Sequence, residues 1–187
     1  MAKICVFCSS TNNLHQDYMD VARATGELLI KGNHHLIYGG SHRGLMGELS
    51  KSFAKYSNNL TEIIPKIWED IAVRNGNTIV TKDLSERLQK MQSLSDAFIT
   101  LPGGFGSLQE TMDVLVAKQL KLHQKPLTII NTNGFYTPFI TQLEKIINTG
   151  FAPKDNSQLF HVASTPGDAL DYIKNYKPIE IGEKLES

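Results

Sequence analysis

Short apolar runs alternate along this chain with longer stretches of mixed polarity. Lys3-Ile4-Cys5-Val6-Phe7-Cys8, Leu36-Ile37-Tyr38, residues 60–64, Thr78-Ile79-Val80, residues 97–101 and residues 126–130 are each too short for a helix and read as strands, the third ended by Pro65. The stretches between them carry helical signals. A helix is predicted over Gln16–Lys31, with Val21, Leu28 and Leu29 turned inward and Gly32-Asn33 as its stop. Others follow the glycine turn at residues 39–47, start at Asp83-Leu84-Ser85-Glu86, run from Ser107 to about Leu122, and cover Thr137–Asn148 before Gly150. Thr165 before Pro166 makes an N-cap and first-turn pair for a last helix to about Asn175. Residues 66–77 show no period and read as loop or short helix, and residues 178–187 as a frayed tail.

Strands that are apolar on both faces and alternate with helices predict an α/β fold, a parallel sheet covered by helices on both faces. No repeat, low-complexity stretch or linker divides the chain, so residues 1–187 are expected to form a single domain. In such sheets ligands bind beyond the carboxyl ends of the strands. The polar turn after the first strand and both glycine turns fall there and can share one crevice.

Composition narrows the function. The 187 residues are 41% hydrophobic and 20% charged, with Lys+Arg and Asp+Glu both at 19, so the formal net charge is zero. That balance argues against a nucleic-acid partner, which favours a basic excess. No apolar run is long enough to span a bilayer, and the apolar start is too short for a signal peptide, so no membrane association and a cytoplasmic location are expected. Cys5 and Cys8 form a C-x-x-C inside a strand. Side chains three apart there face opposite ways, so the pair reads as two core cysteines.

Candidate chemistry concentrates in residues 97–110, where an apolar strand runs into Pro102-Gly103-Gly104-Phe105-Gly106-Ser107-Leu108-Gln109-Glu110. Strand, glycine turn and helix start together form a phosphate cradle, in which backbone N–H groups and the helix dipole face the anion. Glu110 then lies where a carboxylate acts on a nucleotide's sugar. Ser107-x-x-Glu110 is equally a capping box. On the helix from Leu84, the residues Leu84, Leu88, Met91 and Leu94 form one apolar arc with Arg87 inside it. An arginine there either pairs with an anionic ligand or makes a structural salt bridge. The helix from Ser107 is apolar nearly all round, which fits a homodimer interface or complete cover by its own chain. The first turn lacks the dinucleotide G-x-G-x-x-G, the second glycine turn lacks the Gly-Lys-Ser/Thr end of a P-loop, and no H-E-x-x-H or comparable metal spacing occurs. No metal or other cofactor is expected.

The motifs together resemble the LOG (LONELY GUY) family of cytokinin riboside 5′-monophosphate phosphoribohydrolases, once labelled lysine decarboxylases. Residues 102–110 are similar to its P-G-G-x-G-T-x-x-E. Val6-Phe7-Cys8-Ser9-Ser10 resembles its first strand and serine turn, and Tyr38-Gly39-Gly40 with Gly44-Leu45-Met46-Gly47 resembles its Y-G-G-G-x-x-G-L-M-G. Ser95-Asp96-Ala97-Phe98-Ile99, His123-x-Lys125-Pro126 and Gly150-Phe151 extend the likeness over residues 3–175. The resemblance implies a modified Rossmann domain, a homodimer, and hydrolysis of the N-glycosidic bond of a nucleoside 5′-monophosphate, AMP or a cytokinin nucleotide, to free base and ribose 5-phosphate. It implies Glu110 and Arg87 as catalytic residues, with Arg87 holding Glu110 ionised. Gly103, Gly104, Gly106 and Ser107 would bind the 5′-phosphate, with Ser10, Gly39, Gly40 and Gly44 lining the crevice. Several positions depart from the family. Leu88 replaces the lysine of its M-x-x-R-K, Ser41 replaces a glycine, Ser107 a threonine, and Ala117-Lys118-Gln119-Leu120-Lys121 stands for W-x-Q-L-G. The alternative is a nucleotide sensor or carrier of the same fold that does not cleave its ligand. A lysine decarboxylase would need a Schiff-base lysine, and nothing in the sequence identifies one.

Overall fold

Seven parallel strands form one sheet in a computed structural model that describes residues 1–179. In chain order they are β1 (Lys3–Phe7), β2 (His35–Tyr38), β3 (Leu60–Pro65), β4 (Asn77–Thr81), β5 (Ala97–Thr100), β6 (Leu127–Ile130) and β7 (His161–Ala163). Six helices connect them: α1 (Gln16–Lys31), α2 (Gly44–Ser52), α3 (Leu84–Leu94), α4 (Phe105–Gln119), α5 (Thr137–Asn148) and α6 (Pro166–Asn175). The spatial order is β4-β3-β2-β1-β5-β6-β7. The expected α/β fold with a parallel sheet is therefore present, its central strands buried and its edge strands β4 and β7 partly exposed. Among the described residues no helix is long and apolar enough to cross a membrane.

The helices pack on opposite faces because neighbouring strand residues point opposite ways. On one face Ile4, Val6 and Cys8 meet Ala22 and Leu29 of α1, Leu45 and Leu49 of α2 and Ala169 of α6. On the other, Cys5 and Phe7 meet Met91 of α3, Val114 of α4 and Leu143 of α5. Cys5 and Cys8 thus lie in different core layers, both as buried free thiols. Each core side chain removes apolar area from water at about 25 cal/mol per Å².

β1 pairs with β2 on one side, Cys5 opposite Ile37, and with β5 on the other, Val6 opposite Ile99. The chain leaves β1 for a helix on one face and β5 for a helix on the other, so a crevice opens between the two turns. This is the topological switch point of a doubly wound sheet. Hydrogen bonds join its two rims: Ser9 N donates to Pro102 O at 3.3 Å, and Leu101 N to Phe7 O at 2.9 Å.

Several local signals act as read. Asp83 caps α3 by accepting from Glu86 N at 2.8 Å, and Thr165 caps α6 by accepting from Asp168 N at 3.1 Å. Others differ. The buried positions of α1 are Ala22, Thr25, Gly26 and Leu29, while Val21 and Leu28 are only half-buried. In α3 the arc is not uniformly core: Met91 is buried, but Leu84 is 47% exposed. Residues 66–71, read as loop or short helix, do form two short 3-10 turns. The three-residue strand β7 was not predicted, because it is too short to show a period. Most of the expected frayed tail, residues 180–187, lies outside the described residues, whereas Ile179 is half-buried against the second core layer.

Candidate active site

Residue 110 sits where it does because α4 begins earlier than its letters suggest. The helix starts at Phe105, with Gly104 as an N-cap that makes no side-chain hydrogen bond. Ser107 is therefore already inside the helix, and the capping box does not form. The Glu110 side chain lies beyond the first turn and is aimed at α3. Two bonds fix this part of α4 on the sheet: Thr111 Oγ1 donates to Ser107 O at 2.7 Å and lies 2.8 Å from Thr100 Oγ1 at the end of β5.

Arg87 answers Glu110 from the opposite wall. Its Nη1 donates to Glu110 Oε1 at 2.6 Å and its Nε to Ile63 O at 2.9 Å. Both side chains are buried, at 9% and 10% exposure. Burial pushes the Glu110 carboxyl above its usual range, Arg87 pulls it back, and Asp113 adds a smaller push upward. The expectation that Arg87 holds Glu110 ionised is thus only half met: the guanidinium acts in that direction, and desolvation outweighs it. The carboxyl keeps an affinity for protons that an exposed glutamate lacks.

The crevice around this pair is lined by Ser9, Ser10 and Thr11 after β1, by Gly104, Gly106 and Ser107 at the start of α4, and by Met46, Trp68, Leu84 and Leu88. Of the residues singled out in the sequence, Ser10, Gly104, Gly106, Ser107, Arg87 and Glu110 share this lining. Gly39, Gly40, Gly44 and Gly103 do not line it; Gly39, Gly44 and Gly103 lie behind residues that do, whereas Gly40 packs on Glu62 and Ile64 of β3. A Cβ on Gly39 would collide with the Arg87 guanidinium. Gly44 has φ +54° and presses against the Ser10–Thr11 backbone, where its N–H donates to Asn12 Oδ1 at 3.1 Å. Gly103 lies under Ser107. Cys8 also lines the crevice, and burial pushes its thiol up, so it stays protonated.

The sequence reading missed Met46, Trp68, Leu84 and Leu88 as site residues. Leu84 and Leu88 look like core on a helical wheel. Trp68 lies in a segment without period, and the signal that marks it is that it is the chain's one tryptophan.

Complete cover of α4 by its own chain is not found. Ser107, Glu110, Thr111, Val114, Leu115, Ala117 and Lys118 are buried, but Val116, and Leu120 and Leu122 just past the end of the helix, are 37%, 48% and 75% exposed. They share a groove beside the crevice with Leu84 and Leu88 and with the polar Gln89, Gln92, Gln109 and Asp113. Among the described residues no group of three or more His, Cys, Asp or Glu side chains is arranged to hold a metal ion.

The family model described as "Possible lysine decarboxylase" matches residues 46–173. The chain is 32% identical over 180 residues to a probable cytokinin riboside 5′-monophosphate phosphoribohydrolase, LOGL2, of Oryza sativa subsp. japonica, covering 94% of this chain and 73% of that one. It is 32% identical over 183 residues to the cytokinin riboside 5′-monophosphate phosphoribohydrolase LOG5 of Arabidopsis thaliana, covering 96% and 80%. Among solved structures, the molybdenum cofactor binding protein of Rippkaea orientalis superposes with a TM-score of 0.72 at 20% identity, covering 92% of this chain and 95% of that one. The Moco carrier protein of Chlamydomonas reinhardtii gives 0.68 at 21%, with the same coverage. At that identity the last two establish a shared fold. The family match and the relatives at 32% identity go further, and with them the chain belongs to the LOG family, whose model keeps the older lysine decarboxylase description.

Proposed function

We propose that this protein is a nucleoside 5′-monophosphate phosphoribohydrolase that releases the free base and ribose 5-phosphate from AMP or a cytokinin riboside 5′-monophosphate. One observation carries the reading: a buried carboxylate, Glu110, paired with Arg87, faces a crevice that ends at a helix N-terminus without a side-chain cap. The family relationship supports it independently.

The phosphate occupies the start of α4. The N–H groups of the first turn have no intrahelical acceptors, and the Ser107 hydroxyl and the Ser9–Thr11 turn line the same space. An anion there gains from the helix dipole, by about 0.3–1 kcal/mol even when exposed. With the phosphate so held, the ribose lies toward Glu110. As the glycosidic bond breaks, its electron pair leaves with the base and positive charge grows on the sugar. The Glu110 carboxylate stabilises that charge and takes a proton from the attacking water, whose oxygen bonds to the anomeric carbon. The departing base gains a proton, which balances the reaction. Arg87 orients Glu110 and draws it toward the charged form. No step calls on a metal or redox cofactor.

The protein acts as a homodimer in the cytoplasm in this reading. Val116, Leu120 and Leu122 with Leu84 and Leu88 give an apolar strip that a second copy would cover. Leu88, which replaces the family's lysine, makes the wall next to Arg87 apolar and leaves Arg87 as its cation. A carrier that binds nucleotide without cleaving it would use the same crevice. Incubating the purified chain with AMP and with N6-isopentenyl AMP, and following free base by chromatography, separates the two: release supports the hydrolase, and saturable binding without release supports the carrier.

A further inference from the structure

Trp68 lies in the crevice apart from the Glu110–Arg87 pair and the start of α4. It is the chain's one tryptophan, it is 46% exposed, and it lines the crevice. It is also the one aromatic side chain in that lining. Among the described residues its indole makes no hydrogen bond or ring contact. A large apolar ring left open to water inside a polar-rimmed crevice is a ready stacking surface.

The backbone holds the ring there. Trp68 occupies the kink, at φ −125° and ψ 18°, between two 3-10 turns. The segment after it is tied to the second glycine turn: Val73 N donates to Gly40 O at 3.2 Å, His42 Nδ1 donates to Ile71 O at 3.1 Å, and Ser41 bridges Ala72. Further on, the fully buried Glu62 accepts from Arg74 N at 2.9 Å and from Asn75 N at 3.0 Å. The loop follows directly on β3 and is tied down by these bonds on its far side, so the indole is presented rather than left to wander.

The lining also divides by chemistry. Its small and hydroxyl residues come from the turn after β1 and the start of α4. Its apolar side chains, Met46, Leu84, Leu88 and Trp68, come from α2, α3 and the 66–71 segment. Once phosphate and ribose take the first part, the base is left to the second.

We propose that Trp68 is the platform on which the nucleobase stacks, and that it contributes binding of the base rather than acceleration of bond cleavage. This rests on the nucleotide reading of the crevice. Base–aromatic stacking is of a size that shows clearly when the ring is removed.

Because the chain has one tryptophan, its own fluorescence is the probe. The full chain carrying Glu110→Gln, which holds nucleotide without turnover, is titrated with AMP, UMP and ribose 5-phosphate. Saturable quenching by AMP, weaker quenching by UMP, and none by ribose 5-phosphate at concentrations that compete with AMP are expected. In the otherwise unaltered chain, Trp68→Ala raises KM for AMP about ten-fold and leaves kcat within about two-fold, while Trp68→Phe restores most of the loss. Absence of any AMP-dependent quench, or a Trp68→Ala variant with unchanged KM, overturns the proposal. The two readings fail separately. Hydrolysis of AMP without a base-dependent quench removes the platform and keeps the hydrolase. A base-dependent quench without hydrolysis keeps the platform and removes the hydrolase.

Discussion

Arg87 and Glu110 meet across the crevice through one short bond, Nη1 to Oε1 at 2.6 Å, and each reaches it from a different helix. Neither is near the other in sequence, and both are nearly out of water. Such a pair adds little net stability, because desolvating two charges offsets most of their attraction. Its placement at the switch point between β1 and β5, beside an open helix N-terminus, makes sense as chemistry.

Removing one partner tests that view. Arg87→Met leaves a carboxyl buried without its counter-charge, and should destabilise the protein at neutral pH by about 3 kcal/mol, whereas Arg87→Met with Glu110→Leu should recover most of the loss. Glu110 already has its proton affinity raised by burial, and losing Arg87 raises it further. As pH falls through that raised value the carboxyl takes up its proton, so the gap between wild type and Arg87→Met should narrow. Urea unfolding at neutral and acidic pH measures it.

The same shift sets the acid limb of the pH–rate profile. The active form is the carboxylate, so kcat/KM should fall as pH drops through the folded-state value of Glu110, above the ordinary glutamate value of 4.5. Arg87→Lys, which weakens the downward pull of the bidentate-capable guanidinium, should move this limb to higher pH. An acid limb at or below that of an exposed glutamate would contradict the assignment.

Gly39 supports the pair from behind. A methyl group there meets the Arg87 guanidinium and the end of Met46, and Arg87 is held by Ile63 O and Glu110 and has little room to give. Gly39→Ala should reduce kcat/KM at least about ten-fold, with a stability loss of about 1–3 kcal/mol from overpacking. Kinetics together with thermal melts separate the two effects.

The exposed apolar strip gives a prediction on assembly. Light scattering on a sizing column should report twice the 20.8 kDa chain mass, and Leu120→Glu should return the single-chain mass without loss of fold, because Leu120 is 48% exposed within its own chain. A wild-type chain that runs as a monomer at micromolar concentration would remove the homodimer.

Much of this was legible in the letters, for physical reasons that differ by residue. Thr165-Pro166 and Asp83 announce helices because capping chemistry is local. Arg87 stood out because a charge inside an apolar arc needs a partner, and the partner is Glu110. The capping-box spacing of Ser107 and Glu110 misleads because α4 begins at Phe105, where an open glycine N-cap lets the helix start early. Glu62 within an apolar strand and Trp68 within an aperiodic loop gave no pattern to read. Arg74 and Asn75, the partners of the one, and the Gly40–His42 turn, which ties down residues 71–73 after the other, are brought in by tertiary structure.

The most direct measurement compares Glu110→Gln with wild type in nucleotide binding and base release, on the same preparation. AMP should bind the variant within a few-fold of the competing affinity seen for wild type, while release of adenine falls by about a hundred-fold or more. A variant that still releases adenine at close to the wild-type rate would show that this carboxylate does not perform the chemistry.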